Sequence, residues 1–191
     1  YLIKKGLNDP RILTNLGTIY QQLNDFDKAM LLYKESIQKF PKSFEAYANL
    51  GSIFVKKNKL EEAKNYLKKA IELNSSFLMP YSILASININ EGKLKEAEEL
   101  LRKCIEINPN LAESQLNLGC LLKDLGKIKE AEISLRKSLE IYPNNDLALT
   151  NLAVVLLELG RAKEAEKLLD KAIIINPSSS MAFNILGNIY S

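Results

Sequence analysis

The residues with the clearest chemical potential in this 191-residue sequence are asparagines that recur at a fixed interval. Asn15, Asn49, Asn117 and Asn151 stand 34 or 68 residues apart, and Ile83 occupies the place where the series would otherwise continue. A carboxamide offers an acceptor oxygen and two donor hydrogens, so it can bond at once to the carbonyl and the amide of an extended peptide. The spacing therefore predicts a row of side chains that bind peptide backbone.

Few other side chains in the sequence suit catalysis. The sequence contains no His and no Trp, which excludes His-based acid/base catalysis, the Ser-His and Cys-His nucleophile pairs and His-containing zinc sites. Cys104 and Cys120 do not form a paired-thiol motif, and a metal or redox role for either would require a second convergent ligand. We therefore expect that the chain itself is not an enzyme, uses no cofactor and holds no metal ion. A reducing, cytoplasmic compartment is the expected location.

Composition and charge narrow the function classes further. Hydrophobic residues make up 47% of the chain and charged residues 26%, a balance typical of a folded domain. No apolar run is long enough to cross a bilayer, so membrane insertion is not expected. The 26 basic and 23 acidic residues are interleaved along the chain. This argues against nucleic-acid binding and predicts no strong selection for the charge of a ligand.

The asparagines belong to a 34-residue pattern that runs through nearly the whole chain. The first half of each unit has large side chains at positions 4, 7 and 11 and a small residue at position 8, as in Leu13, Leu16, Tyr20 and Gly17 of the first unit. These intervals lie on one face of a helix. A second helix follows in each unit, with Ala at position 20. The predicted units span residues 10–43, 44–77, 78–111, 112–145 and 146–179, after the end of a preceding second helix at 1–9 and before the first helix of a truncated sixth unit at 180–191.

The ends of the predicted helices are marked by turn residues. Position 15 of each unit holds Asn or Gly, which readily adopt the left-handed backbone conformation that ends a helix. Pro at position 32 ends the second helix in four of the five units. Pro80 falls inside a first helix, so we expect that helix to begin late. One unit buries too little apolar surface to offset the entropy of ordering its backbone, so neighbouring units must stack.

These positions together resemble a known family. The resemblance is to the tetratricopeptide repeat family, and it is carried in the first unit by Leu16, Gly17, Tyr20, Ala29, Tyr33, Ser36 and Pro41. It implies an all-α fold, a right-handed α-solenoid superhelix of antiparallel helix pairs whose first helices line a concave groove, and adaptor or scaffold functions. The asparagine row is similar to the asparagine ladder of O-linked N-acetylglucosamine transferase and of kinesin light chain. That similarity implies peptide binding by Asn15, Asn49, Asn117 and Asn151.

The remaining groove positions would select among ligands. Ile83, Ile89 and Leu116 predict an apolar patch where a ligand side chain docks. Two alternatives stay open. The asparagine carboxamides could instead bond to neighbouring backbone, and the apolar side chains could instead be partly shielded packing between adjacent first helices.

The pattern as a whole predicts a non-catalytic scaffold that binds an extended peptide segment of a protein partner. A second interpretation is a substrate-recruiting module of a larger enzyme, such as a glycosyltransferase, because both ends of the sequence look like interrupted repeats. Phe183, Leu186 and Tyr190 would then be left uncovered, which predicts end-to-end self-association through the last helix.

Overall fold

Every regular element in the described part of the chain is an α-helix. The computed structural model describes residues 9–190, and within them it contains eleven helices and no strand. The first helices of successive repeats are α1 (Pro10–Gln22), α3 (Phe44–Lys56), α5 (Leu78–Asn90), α7 (Ala112–Asp124), α9 (Asp146–Glu158) and α11 (Ser180–Tyr190). The second helices are α2 (Phe26–Lys39), α4 (Leu60–Leu73), α6 (Leu94–Ile107), α8 (Ile128–Ile141) and α10 (Ala162–Ile175). The all-α class is confirmed. The predicted helix end at 1–9 lies, apart from Asp9, outside the described residues.

The helices fall into two compact units that divide between Glu91 and Gly92. In the first unit, each helix from α1 to α5 packs against the next one along the chain. The first helices also pack side by side there, α1 against α3 and α3 against α5. The second unit repeats this arrangement from α6 to α11, with α7 against α9 and α9 against α11. Within each unit, therefore, successive first helices form one layer.

Close approach between paired helices depends on glycine facing a large side chain. Gly51 lies against Leu67, and Gly119 lies against Leu135; both leucines are fully buried. A Cβ atom added to Gly119 would be 2.6 Å from Leu135 Cγ, closer than carbon atoms approach. The small residue that recurs at position 8 of the repeat is therefore what lets these paired helices interlock.

The left-handed turns predicted at position 15 are confirmed. Asn24 and Asn58 have φ angles of 59° and 56°, and the three glycines at the same position have φ angles of 71° to 74°. Each residue lies between the two helices of a repeat. Its left-handed conformation reverses the chain at a site where most residue types would be strained.

The expected late start of the third first helix is wrong. Helix α5 begins at Leu78, 34 residues after the start of α3 at Phe44. Pro80 occupies the third helical position, where the backbone has no intrahelical hydrogen bond to lose. The preceding turn is held by the hydroxyl of Tyr81, which donates a hydrogen bond to the Ser75 carbonyl at 3.0 Å. Proline is therefore accommodated without displacing the helix.

Ion pairs connect successive repeats in the second unit. Arg102 of α6 lies 2.8 Å from Glu98 on its own helix and 2.7 Å from Glu130 at the start of α8. Lys127, just before α8, lies 2.8 Å from the other oxygen of Glu98. One repeat later, Glu132 bonds in the same way to Arg136 and Arg161. The carboxylates at these two positions thus bind cations of their own repeat and of the next one.

Candidate functional site

A cavity of 810 Å³ opens on the first unit. Its walls come from α1, from the loop between α2 and α3, from the first turns of α3 and from Phe77, which precedes α5. Asn15 of α1 and Asn49 of α3, two of the four predicted peptide-binding residues, both lie on this cavity. The packing of α1 against α3 places these residues, which are 34 positions apart in sequence, on one surface.

The two carboxamides on the cavity are available for a ligand. Asn15 is exposed and Asn49 is half-buried. Neither side chain makes a hydrogen bond to another described residue. Thr18, one turn beyond Asn15, shows the contrasting case of local bonding, because its hydroxyl donates to the Thr14 carbonyl at 3.0 Å. The alternative of local backbone bonding therefore does not describe Asn15 and Asn49 in this arrangement. Their donors and acceptors can turn to a bound peptide.

The apolar part of the cavity wall is built from phenylalanines. Phe44 and Phe77 lie edge to face, with ring centroids 5.0 Å apart and planes at 66°. Phe40 lines the cavity from the end of α2, where its backbone N–H donates to the Ser36 carbonyl at 2.7 Å. All three rings are half-buried. An apolar or aromatic side chain entering the cavity would meet ring surface that the fold has left partly exposed.

A chain of hydroxyl groups fixes the inner wall. The hydroxyls of Thr14 and Ser36 lie 3.2 Å apart, and Ser36 donates to Ser43 Oγ at 3.4 Å. All three residues are buried. This chain joins α1, α2 and the loop before α3, so the cavity walls come from elements already bonded to one another. A preformed wall lowers the entropic cost of binding.

Two cations on the cavity already have carboxylate partners. Arg11 donates two hydrogen bonds to Asp9 Oδ2, at 2.6 and 3.0 Å, and these hydrogen bonds lower the pKa of Asp9 to about 2. Lys39 lies 2.6 Å from Glu35 on its own helix. All four side chains are at least one third exposed, so each pair can exchange partners at little cost.

The two predicted peptide-binding asparagines of the second unit differ in exposure and in hydrogen bonding. Asn117 is exposed, and its carboxamide makes no hydrogen bond to a described residue. Asn151 is 5% exposed. Its Nδ2 donates to the Leu147 carbonyl at 2.9 Å, and its Oδ1 accepts a hydrogen bond from Lys123 Nζ at 3.3 Å. Asn151 therefore bonds locally in this arrangement, as one alternative from the sequence anticipated.

The predicted side-chain patch is not gathered on the cavity. Ile83 is half-buried and Ile89 is 37% exposed, and both lie on α5 away from the cavity walls. Leu116, in the second unit, is 6% exposed. Selection of a ligand side chain by these three residues stays a prediction.

Sequence comparison assigns the family. Four tetratricopeptide repeat profiles match the chain, over residues 10–43, 44–77, 77–144 and 126–189. Together they extend over all the complete helix pairs of the described chain. The chain belongs to the tetratricopeptide repeat family. No curated protein matches its sequence.

Solved tetratricopeptide repeat structures share the fold. YrrB, a tetratricopeptide repeat protein described as having an unusual peptide-binding site, is 23% identical over 96% of this chain and 95% of its own, with a TM-score of 0.77. MamA is 24% identical over 90% of this chain and 93% of its own, with a TM-score of 0.74. The pilF protein of Pseudomonas aeruginosa is 18% identical over 95% of this chain and 84% of its own, with a TM-score of 0.84. At these identities the likeness establishes the fold.

Several residues of the tetratricopeptide repeat cavity were not identified from the sequence. The predicted groove was limited to first-helix positions, and Lys39, Phe40, Lys42 and Phe77 lie outside those positions. The sequence feature that could have identified these residues is that they differ from the residues at the same positions of the other repeats. Three of the six phenylalanines in the chain line this one cavity.

The remaining reactive groups lie apart from the cavity. Both cysteines are free thiols; Cys104 is fully buried, and burial raises the pKa of the half-buried Cys120 thiol. Among residues 9–190, no group of three His, Cys, Asp or Glu side chains is placed to hold a metal ion. None of the described tetratricopeptide repeat helices combines the length and apolarity that a membrane span requires.

Proposed function

We propose that this tetratricopeptide repeat chain is a non-catalytic scaffold that binds an extended peptide segment of a protein partner on the first-helix layer of its first unit. One observation carries the proposal: the carboxamides of Asn15 and Asn49 lie on one cavity of 810 Å³, and neither bonds to another described residue. The family supports the broader part of this statement, since the tetratricopeptide repeat is a protein-interaction fold.

The dimensions of helices and extended peptides agree with this mode of binding. Packed helices lie about 8–10 Å apart, and an extended peptide advances about 3.3–3.6 Å per residue. A peptide crossing α1 and α3 would therefore present a backbone amide and carbonyl to Asn15 and, about three residues later, to Asn49. Each carboxamide would accept from one amide and donate to one carbonyl.

The expected affinity is modest. Four such hydrogen bonds contribute about 0.5–1.5 kcal/mol each, while association costs about 4–15 kcal/mol. Backbone capture alone therefore gives weak binding. Burial of ligand side chains against the phenylalanine wall must supply the rest, which predicts dissociation constants in the micromolar range or weaker.

Within the second unit, we also propose that Asn117 binds peptide backbone, because it is exposed and makes no hydrogen bond to a described residue. Asn151 would have to exchange its bonds to Lys123 and to the Leu147 carbonyl for bonds to a peptide, so we expect it to contribute less. Ile83, Ile89 and Leu116 complete the proposed set as contacts to ligand side chains.

The proposal assigns no chemical step to the chain and places it in the cytoplasm. Three observations support this. Cys104 is buried, burial raises the pKa of the Cys120 thiol and so disfavours the nucleophilic thiolate, and both thiols are free. The same peptide capture would also serve the alternative function, recruitment of substrates to a catalytic domain of a larger enzyme.

A displayed library of random peptides tests the proposal. Peptides selected on the natural chain are titrated against it and against the Asn15→Ala/Asn49→Ala variant. Loss of two to four hydrogen bonds predicts an affinity at least about fivefold lower. The matched control is Asn65→Ala/Asn144→Ala, which removes two exposed asparagines outside the cavity and should leave affinity unchanged. Equal binding by all three proteins would refute backbone capture by Asn15 and Asn49.

A further inference from the structure

The loop that closes the cavity departs from its counterparts in the other repeats. Residues 39–42 read Lys-Phe-Pro-Lys, whereas residues 73–76, 107–110, 141–144 and 175–178 read Leu-Asn-Ser-Ser, Ile-Asn-Pro-Asn, Ile-Tyr-Pro-Asn and Ile-Asn-Pro-Ser. Position 30 of the repeat is thus apolar in every other complete unit and Lys39 in this one. Because the other repeats adopt the same helix pair with different residues in this loop, they show which of its residues folding does not require. The fold therefore does not require the two lysines or Phe40.

The other two phenylalanines of the wall are equally specific to this place. The position of Phe44 holds Leu78, Ala112 and Asp146 in later repeats, and the position of Phe77 holds Leu111 and Asn145. The three aromatic rings lie together on this cavity, and Phe44 and Phe77 are in edge-to-face contact. Since the other repeats fold without aromatic residues at most of these positions, the three rings on the cavity are candidates for selecting a ligand side chain.

The charges on the cavity favour an anionic ligand group. Three cations line it, Arg11, Lys39 and Lys42, against one carboxylate, that of Glu45. Lys42 is exposed, and no described carboxylate lies within ion-pair distance of it. Lys39 has only its exposed pair with Glu35, which a ligand carboxylate could replace or share. Lys39 and Lys42 lie on either side of Phe40 in sequence, so positive charge and aromatic surface come from one short segment.

We propose that this cavity selects a peptide in which an aromatic side chain lies next to a carboxylate side chain. The ring packs against Phe40, Phe44 and Phe77, and the carboxylate pairs with Lys42 and Lys39. This inference rests on the proposed function, because Asn15 and Asn49 would hold the backbone of the same peptide. It departs from the sequence-based expectation of no charge selection, which did not take the loop lysines Lys39 and Lys42 into account.

The test uses three synthetic peptides of about eleven residues, long enough to span roughly 36–40 Å when extended. Each consists of Gly and Ser around a central triplet: Asp-Phe-Asp, Lys-Phe-Lys or Asp-Ala-Asp. Binding to the ¹⁵N-labelled chain is followed by amide chemical shifts. We expect saturable shifts at residues 39, 40, 42, 43 and 44 and at Phe77. The affinity for Asp-Phe-Asp should be at least about tenfold above that for either other peptide.

A loop exchange provides the matching variant. Lys39→Ile/Phe40→Asn/Lys42→Asn installs the sequence found at residues 107–110, which this fold already accommodates. It should lower the affinity for Asp-Phe-Asp about tenfold or more and abolish the preference over Lys-Phe-Lys. The control, Lys68→Asn/Lys69→Asn, removes the same charge from exposed positions of α4 outside the cavity and should change neither.

A single exposed substitution keeps the test independent of folding. Lys42→Glu should weaken Asp-Phe-Asp and strengthen Lys-Phe-Lys; unchanged affinities would overturn the selectivity. If all three peptides bind at the cavity equally well, the selectivity is wrong while peptide capture stands. If none of them shifts an amide on the cavity, both proposals are overturned.

Discussion

At the scale of single residues, the fold depends on glycines that have no room for a methyl group. A Cβ atom at Gly119 would lie 2.6 Å from Leu135 Cγ and 3.3 Å from the Ala131 carbonyl oxygen, and the backbone atom cannot move aside cheaply. Gly119→Ala should therefore lower the urea midpoint by an amount corresponding to about 1–2 kcal/mol, because overpacking outweighs the gain in helix propensity.

The matched control for Gly119→Ala is Gly187→Ala. Gly187 also lies within a first helix, but no atom within 4 Å would contact an added Cβ. This variant should leave the stability unchanged or raise it by up to about 1 kcal/mol. A Gly119→Ala protein as stable as the natural chain would show that the interlocking of α7 and α8 is looser than described.

The turn residues give a second prediction at this scale. Gly126 has a φ angle of 71°, and no atom lies within 4 Å of the position that a Cβ would occupy. A side chain there would therefore strain the backbone without clashing with a neighbouring atom. Gly126→Ala should cost about 1–2 kcal/mol in the free energy of unfolding. Gly126→Asn should cost less, because Asn24 and Asn58 hold the same conformation at the same position. Equal urea midpoints for the two variants would contradict this.

At the scale of elements, the second unit combines helix packing with ion pairs between repeats. The carboxylate of Glu98 is largely buried, and hydrogen bonds from Lys127 and Arg102 hold its pKa below the usual 4.5 although burial opposes them. A carboxylate whose pKa is lowered by folding stabilises the folded state at pH values above its ordinary, unfolded pKa. This stability is lost as pH falls through the lowered pKa of the folded state.

The pH dependence of unfolding tests this ion-pair network. Between about pH 6 and pH 3, the urea midpoint of the natural chain should fall more steeply than that of Glu98→Gln, which cannot titrate at this site. Lys68→Gln, on the exposed side of α4, is a control that should keep the natural slope. Identical slopes for Glu98→Gln and the natural chain would mean that the Glu98 pairs contribute nothing to stability.

The elements also show what the sequence could predict. Helix starts, turns and close contacts follow from local rules, so Gly119, Ala131 and the left-handed Asn and Gly positions were predictable. The late start expected for α5 was wrong because the effect of a proline depends on its place within the first turn, and Pro80 lies at the third helical position. The phenylalanine wall was missed because three chain segments build it, and no single helical face contains it.

At the scale of the whole molecule, repetition separates residues that fold the chain from residues that remain free to bind. The buried alanines and leucines recur in every repeat, while the aromatic and basic residues of the cavity occur once. The same reasoning explains why the asparagines are informative. Asn15, Asn49 and Asn117 recur without forming hydrogen bonds to described residues, so the fold does not need their carboxamides.

Self-association stays a prediction at this scale. On α11, Phe183 is 49% exposed and Tyr190 is 68% exposed, while Leu186 is half-buried. A concentration series in light scattering should show a mass rising above that of one chain, and Phe183→Glu should suppress the rise. A single-chain mass at every concentration would contradict the prediction.

The central claim is that asparagine carboxamides bond to the backbone of a bound peptide, and a double-mutant cycle tests it most directly. In a library-selected peptide, single amide groups are replaced in turn by esters, which removes one N–H donor at a time. Affinities are then measured for the natural chain and for Asn49→Ala. At one peptide position, the ester should weaken binding to the natural chain but not to the variant, with a coupling energy of about 0.5–1.5 kcal/mol. Additive effects at every position would contradict the claim.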